Sequence, residues 1–115
     1  MADMEIRNAA DKLRETIELS LGRLADEIAG RPEIGTAEWQ AEIATRDTAE
    51  GRARLKQWHL IKLQIAREAG VDQTGDAMNG YLYGATWAEI GEACGITKQA
   101  AHDRWAKYAE EYARG

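Results

Sequence analysis

The amino-acid sequence predicts an all-α fold: a long N-terminal amphipathic helix, one or two middle helices, and two C-terminal helices joined by a tight turn. Two long stretches carry apolar residues every three or four positions, the spacing that places side chains on one helix face. The 115-residue chain has one proline, and 44% of its residues are hydrophobic and 30% charged. This balance is typical of a folded, water-soluble domain.

The first predicted helix runs from about residue 2 to residue 29. Its apolar stripe comprises Ile6, Ala10, Leu13, Ile17, Leu21, Leu24 and Ile28. Gly30 and Pro32 end the helix, because glycine suits the C-cap and proline cannot continue the hydrogen-bond ladder. One amphipathic helix is not stable alone in water, so we expect the stripe to bury against the rest of the chain or against a second copy.

The second helical segment is predicted from about Thr36 to Ala69. Its polar stretch 44–52 contains Gly51, so the segment forms either two helices or one kinked helix. The later part carries an apolar stripe that consists of Leu55, Trp58, Ile61, Ile65 and Ala69. We expect Trp58 to be a core residue because it belongs to this stripe.

Residues 70–80 contain three glycines, two aspartates and an asparagine, which is the composition of a loop. We therefore predict a helical dimerisation or support region over 1–70, a linker over 71–85, and a C-terminal unit over 86–115.

Aromatic residues of the C-terminal unit lie on one helical face together with Ala101, and they are Trp105, Tyr108 and Tyr112. A core or dimer contact is the expected role of this face.

Several classes of protein are not expected. The sequence has no run of about 18 apolar residues and no apolar signal core at its start, which predicts a cytoplasmic protein outside the membrane. Cys94 is the only cysteine, so an internal disulfide and a cysteine-built metal cluster are excluded. No nucleophile–histidine motif or phosphate-binding glycine loop is present, and we predict neither an enzyme nor a cofactor.

The most informative stretch is 86–105, TWAEIGEACGITKQAAHDRW. Thr86 followed by Glu89 three residues later is the signature of a capping box at a helix start. Gly95 suits a tight turn that requires a positive φ, and Thr97 is a second N-cap. Gly91 and Ala101 supply the small surfaces that two crossing helices need where they meet. The pattern predicts a helix-turn-helix over 86–108.

This stretch resembles the helix-turn-helix of the promoter-reading domain of bacterial sigma factors and of many small bacterial regulators. The resemblance covers about 25 residues and rests on Thr86, Glu89, Ile90, Gly91, Ile96 and Thr97. Ala101 departs from it, since sigma domains usually carry a larger apolar residue there, and Lys98 and Gln99 stand where sigma recognition helices carry arginines. The resemblance implies a DNA-reading role without implying sigma function.

A recognition helix enters the major groove with its N-terminal residues nearest the bases. The candidate DNA-binding residues are Thr97, Lys98, Gln99, His102, Asp103, Arg104 and Lys107. Gln99 can pair with adenine, and Lys98 can donate to guanine or phosphate. Thr97 offers the helix N-terminus to a phosphate, whereas Arg104 and Lys107 are placed for the DNA backbone. For Asp103, a surface charge is favoured over a cytosine contact. A merely solvated polar face is the alternative for Lys98, Gln99 and His102.

The net charge of −5 weighs against nucleic-acid binding, although residues 42–70 carry six basic and four acidic groups. This middle segment is either a solvated surface or a phosphate-contacting patch. We predict a DNA-binding transcriptional regulator, either a repressor or an accessory plasmid or nucleoid protein, that forms a homodimer through its N-terminal helix and binds double-stranded DNA. The alternative is a protein-interaction module that binds a transcription component or another protein.

Overall fold

A computed structural model describes residues 3–114 and confirms the all-α prediction for this part of the chain. The six helices are α1 (Asp3–Ala29), α2 (Ala37–Ala44), α3 (Ala49–Ala69), α4 (Thr74–Leu82), α5 (Trp87–Cys94) and α6 (Lys98–Arg114). None of the helices in this range is both long and apolar enough to cross a membrane.

Helix α1 follows its predicted bounds, but most of its apolar stripe is exposed. Only Leu21 and Ala25 are buried, where the C-terminal half of α1 packs against α3. Ile6 and Leu13 keep 56% and 61% of their surface accessible to solvent. The N-terminal half of α1 therefore extends beyond the body of the protein with an uncovered apolar face.

The middle segment forms two helices rather than one kinked helix. Thr45 ends α2, and the hydroxyl of Thr48 caps α3 by accepting a hydrogen bond from the Gly51 N–H at 3.1 Å. Gly51 allows the connecting turn to cross α3, because a Cβ atom there would collide with the carbonyl oxygen of Thr45 and lie 2.6 Å from the Cα of Arg46.

The expectation of a loop over 70–80 is wrong from Thr74 onward, where α4 begins. Asp76, Ala77 and Gly80 are its buried residues, and they are small enough for α4 to lie close to both α3 and α6. Glycine and aspartate usually favour turns, but in α4 they provide a packing surface of low bulk. The division of the chain into a support region, a linker and a C-terminal unit stays a prediction.

The core joins α3, α4, α5 and α6. Its three largest fully buried side chains are Leu63, Ile90 and Trp105. The prediction of a packed Trp105 is confirmed, but Tyr108 and Tyr112 are 58% and 52% exposed and lie outside the core. The reason is that Ala106 and Ala109 occupy the inward side of α6 beyond Trp105.

Candidate nucleic-acid interface

Local hydrogen bonds fix both ends of α5. Thr86 and Glu89 form the predicted capping box, with each side chain accepting the backbone N–H of the other residue at 3.0 Å. Gly95 ends the helix in the left-handed conformation with φ 73°, as predicted. The N–H of Ile96 then donates to the carbonyl of Gly91 at 2.8 Å, which closes the turn into α6.

The turn presses against the middle of α5 at Gly91. A Cβ atom on this glycine would lie 2.8 Å from the Ile96 carbonyl oxygen and 2.9 Å from that of Thr97. Ile90 and Ala101 are both fully buried beside this contact. The start of α6 is therefore held in place by backbone packing against α5.

The seven candidate DNA-binding residues are all exposed on α6 or at its start. Thr97 caps the helix, because its hydroxyl accepts the Ala100 N–H at 3.0 Å. Three of the candidates form an outward-facing row along α6, namely Gln99, Asp103 and Lys107. Each of them is followed two positions later by a buried residue, and two positions correspond to a rotation of about 200° around the helix. We call these three residues the outward row.

Asp103 contacts two neighbouring polar side chains on this face of α6. Gln99 Nε2 donates to Asp103 Oδ1 at 2.8 Å, and His102 Nδ1 lies 3.6 Å from the same carboxylate oxygen. The His102 ring also meets Trp87 of α5 edge-on, with the ring centroids 5.9 Å apart. Asp103 thus organises the polar side chains at the start of α6, a role that the sequence analysis did not assign to it.

Arg104 and Lys107 lie farther along α6. The Arg104 guanidinium lies over the Trp105 ring, 4.6 Å from its centroid, and Arg104 itself is exposed. Lys107 is the last member of the outward row.

The basic residues of α3 do not form a free patch. Lys56 pairs with Glu89 at 3.2 Å, Lys62 with Asp76 at 2.9 Å, and Arg54 with Glu42 at 3.6 Å. Arg52 donates to the Leu82 carbonyl at 2.8 Å. Four of the six basic residues proposed for a phosphate-contacting patch therefore hold helices together.

The Lys56–Glu89 pair ties α3 to the start of α5. The hydrogen bond from the Thr86 backbone holds the pKa of the Glu89 carboxyl below its usual range, and Lys56 acts in the same direction against the effect of burial. The ionised form of Glu89 therefore stabilises both the cap and the ion pair. The sequence does not predict the Lys56–Glu89 ion pair, because the two residues are 33 positions apart.

Cys94 is buried, and burial raises the pKa of its thiol despite the opposing charges of Arg104 and Arg67. A raised pKa favours the protonated, unreactive thiol, which suits a core residue. Over residues 3–114, no three His, Cys, Asp or Glu side chains come together as a metal ion requires.

Comparison with protein-family models, curated proteins and solved structures gives no match for this chain.

Proposed function

We propose that this protein is a sequence-specific DNA-binding regulator that inserts the start of α6 into the major groove. The observation that carries the proposal is the exposed N-terminal turn of α6, which the Gly91 contact and the Gly95 turn hold against a packed core. A rigidly supported helix start with exposed polar side chains is what reading base edges requires.

Each exposed residue has a role in the proposal. Gln99 pairs with adenine through its amide, whose orientation the Asp103 carboxylate fixes before binding. Lys98 contacts guanine or a phosphate, and His102 donates to a base or a phosphate. Thr97 presents its N–H to a phosphate, because a helix N-terminus attracts anions. Arg104 and Lys107 contact the DNA backbone.

The proposal includes a homodimer. One short recognition helix reads few base pairs, whereas two helices placed about 34 Å apart reach successive major grooves on one side of the duplex. The exposed stripe of α1, with Leu13 at 61% and Ile28 at 66% exposure, offers the apolar surface for pairing. Such a dimer binds a palindromic site.

The test is selection of bound sequences from a random DNA pool, followed by gel shifts of the selected site at two salt concentrations. Lys98, Arg104 and Lys107 supply about six phosphate contacts per dimer, so affinity falls about a thousandfold between roughly 50 and 200 mM salt. The double substitution Lys98→Ala, Gln99→Ala removes the preference for the selected site over a shuffled one.

A matched control replaces the same two residue types elsewhere, as Lys12→Ala, Gln40→Ala. Both residues are exposed and lie on α1 and α2, away from the start of α6. This control keeps the affinity and the preference of the original protein. Sequence preference that survives the Lys98, Gln99 substitution would show that α6 is not the reading helix.

A protein-interaction module is the second candidate function. It is favoured by the net charge of −5 and by the pairing of Lys56, Lys62 and Arg54 with internal carboxylates. In this case the exposed face of α6 binds a transcription component or another protein. The DNA selection then yields no enriched sequence, and gel shifts show no specific complex at either salt concentration.

A further inference from the structure

A cavity of about 540 Å³ separates α2 from α3 and is independent of the proposed DNA interface. Helix α2 has no buried residue, yet its apolar side chains Trp39 and Ile43 border this cavity. The opposite wall consists of Leu55 and Trp58 of α3. The apolar face of α2 is thus turned toward α3, but an open volume takes the place of a packed helix–helix contact.

The walls of the cavity combine flat aromatic surfaces with cationic groups. Trp39, Trp58 and Tyr83 supply three aromatic rings. Three arginines and two carboxylates line the cavity. Two of the arginines share one of these carboxylates, and one of the two also pairs with Asp26 at 3.4 Å, so a single arginine is left outside any ion pair within residues 3–114. The arginines are Arg31, Arg46 and Arg54, and the carboxylates are Glu42 and Asp47.

The positive charges are held in position by that shared carboxylate. Glu42 Oε1 lies 3.0 Å from Arg31 Nε and 3.6 Å from Arg54 Nε, so one negative charge fixes two guanidinium groups. The Arg31 guanidinium and the Lys62 ammonium group both lie over the Trp58 ring, 5.4 Å and 4.3 Å from its centroid. Arg46 is exposed at the border of the cavity and extends the positive surface.

Trp58 carries a second sign of incomplete packing. Within residues 3–114, its indole N–H is the buried side-chain group that finds no hydrogen-bond acceptor. Buried donors are nearly always satisfied, so this one marks incomplete packing at the Trp58 wall of the cavity.

We propose that the cavity between α2 and α3 binds a small planar aromatic anion. Its ring packs on Trp39, and its carboxylate faces Arg46 and Arg54. The cavity volume falls in the range of about 300–1,000 Å³ that small-molecule sites occupy. Binding fills the space under α2 and joins this helix to α3. The proposal does not depend on DNA binding, and its test contains no DNA.

The probe is 2-naphthoate, and the readout is the set of four indole N–H signals in a ¹H–¹⁵N NMR titration. Saturable shifts are expected for Trp39 and Trp58, with a dissociation constant of about 1 mM or tighter for a ligand of this size. Trp87 and Trp105 are internal controls, because they belong to or pack against the core of the C-terminal helices. Equal shifts of all four signals would overturn the proposal.

Two other probes separate the charge from the ring. The uncharged 2-naphthamide lacks the anion, and acetate lacks the ring, so both bind about two- to fivefold more weakly than 2-naphthoate. Binding of the amide with the same affinity would overturn the proposal of an anion site.

Arg46→Ala weakens 2-naphthoate binding about fivefold without unfolding the protein, since Arg46 is exposed. Arg7→Ala on α1 is the matched control and leaves the affinity unchanged. Trp39→Ala removes one aromatic wall and abolishes saturable binding, while the Trp87 and Trp105 signals report that the core stays folded. Unchanged affinity in both cavity variants would overturn the proposal.

Discussion

A single missing methyl group decides how closely the turn before α6 approaches α5. At Gly91 the carbonyl oxygens of Ile96 and Thr97 occupy the space that a Cβ atom would need. Glycine in a helix interior ordinarily costs about 0.5–1 kcal/mol relative to alanine. The close approach offsets this cost, because it lets Ile90 and Ala101 bury completely under the turn.

We expect Gly91→Ala to lower the free energy of unfolding by about 1–2 kcal/mol in urea titrations. The added Cβ atom would lie 2.8 Å from a backbone oxygen, and overpacking of this kind typically costs about 1–3 kcal/mol. Alanine also lowers the conformational entropy of the unfolded chain, which stabilises the folded state and offsets about 0.4–1 kcal/mol of that cost.

Gly75→Ala is the matched control for this prediction. Gly75 is exposed in α4, and a Cβ atom there meets nothing within 4 Å. This variant is expected to raise the free energy of unfolding by about 0.5 kcal/mol. If Gly91→Ala proved as stable as Gly75→Ala, the close contact between the turn and α5 would be wrong.

Residue-level predictions succeeded where the partners are close in the sequence. Thr86 and Glu89 are three positions apart, and the helix itself brings them together. Contacts between distant residues were not predictable, because they depend on how α3 sits against its neighbours. Lys56 and Glu89 illustrate this difference, since their spacing of 33 positions carries no periodic signal.

Between helices α3 and α4, a buried polar cluster decides the packing. Asp76 of α4 accepts hydrogen bonds through one oxygen from His59 Nδ1 at 3.1 Å and Lys62 Nζ at 2.9 Å, and all three residues are buried. Burial alone raises the pKa of the Asp76 carboxyl, but the two hydrogen bonds and the neighbouring charges outweigh it and lower the pKa. The carboxylate is therefore charged and paired in the folded protein.

We expect Asp76→Asn to destabilise the protein by about 3 kcal/mol at pH 7, because it leaves Lys62 buried without its counter-charge. The pKa of Asp76 is lower in the folded state than in the unfolded chain. Its stabilising contribution is thus complete above the unfolded value of about 3.9 and is lost as the pH falls through the folded value. The difference in the free energy of unfolding between the original protein and Asp76→Asn should therefore be smaller at about pH 2.5 than at pH 7, as measured by denaturant unfolding.

Asp47→Asn serves as the control, because Asp47 is exposed and belongs to no buried cluster. Its effect at pH 7 should stay within about 0.5 kcal/mol. A stability gap for Asp76→Asn that is the same at pH 7 and in acid would contradict the assignment of Asp76 as the ionised centre of the cluster.

This cluster also explains why α4 escaped prediction. Its sequence TGDAMNGYL contains two glycines, and its N-cap Gln73 makes no side-chain capping bond. Local propensity is therefore poor, and the helix depends on tertiary contacts that Asp76, Ala77 and Gly80 make with α3 and α6. In contrast, the bounds of α1 follow from its long stripe and from Gly30, which are local features.

At the scale of the whole molecule, the covered and uncovered apolar surfaces lie at different places. The core is concentrated in α3–α6, where Leu63, Ile90 and Trp105 are fully buried. Among residues 3–114, six of the nine exposed large apolar side chains lie on α1, and four of these six belong to its predicted stripe, namely Ile6, Leu13, Leu24 and Ile28. An uncovered stripe of this length is unusual for a monomer and indicates an interaction surface.

The proposed dimer through α1 can be tested by its mass in solution. If the stripe of α1 pairs with a second copy, light scattering gives twice the chain mass of 12.8 kDa at micromolar concentration. Leu13→Lys places a charge on the stripe and shifts the protein to a monomer, because a buried unpaired charge opposes pairing. Glu15→Lys adds the same residue about 200° around the helix and leaves the dimer intact. A monomeric original protein would rule out the dimer, whereas a dimer that tolerates Leu13→Lys would show that the interface does not lie on α1.

DNA affinity should fall together with dimerisation in Leu13→Lys, because the two recognition helices then bind independently.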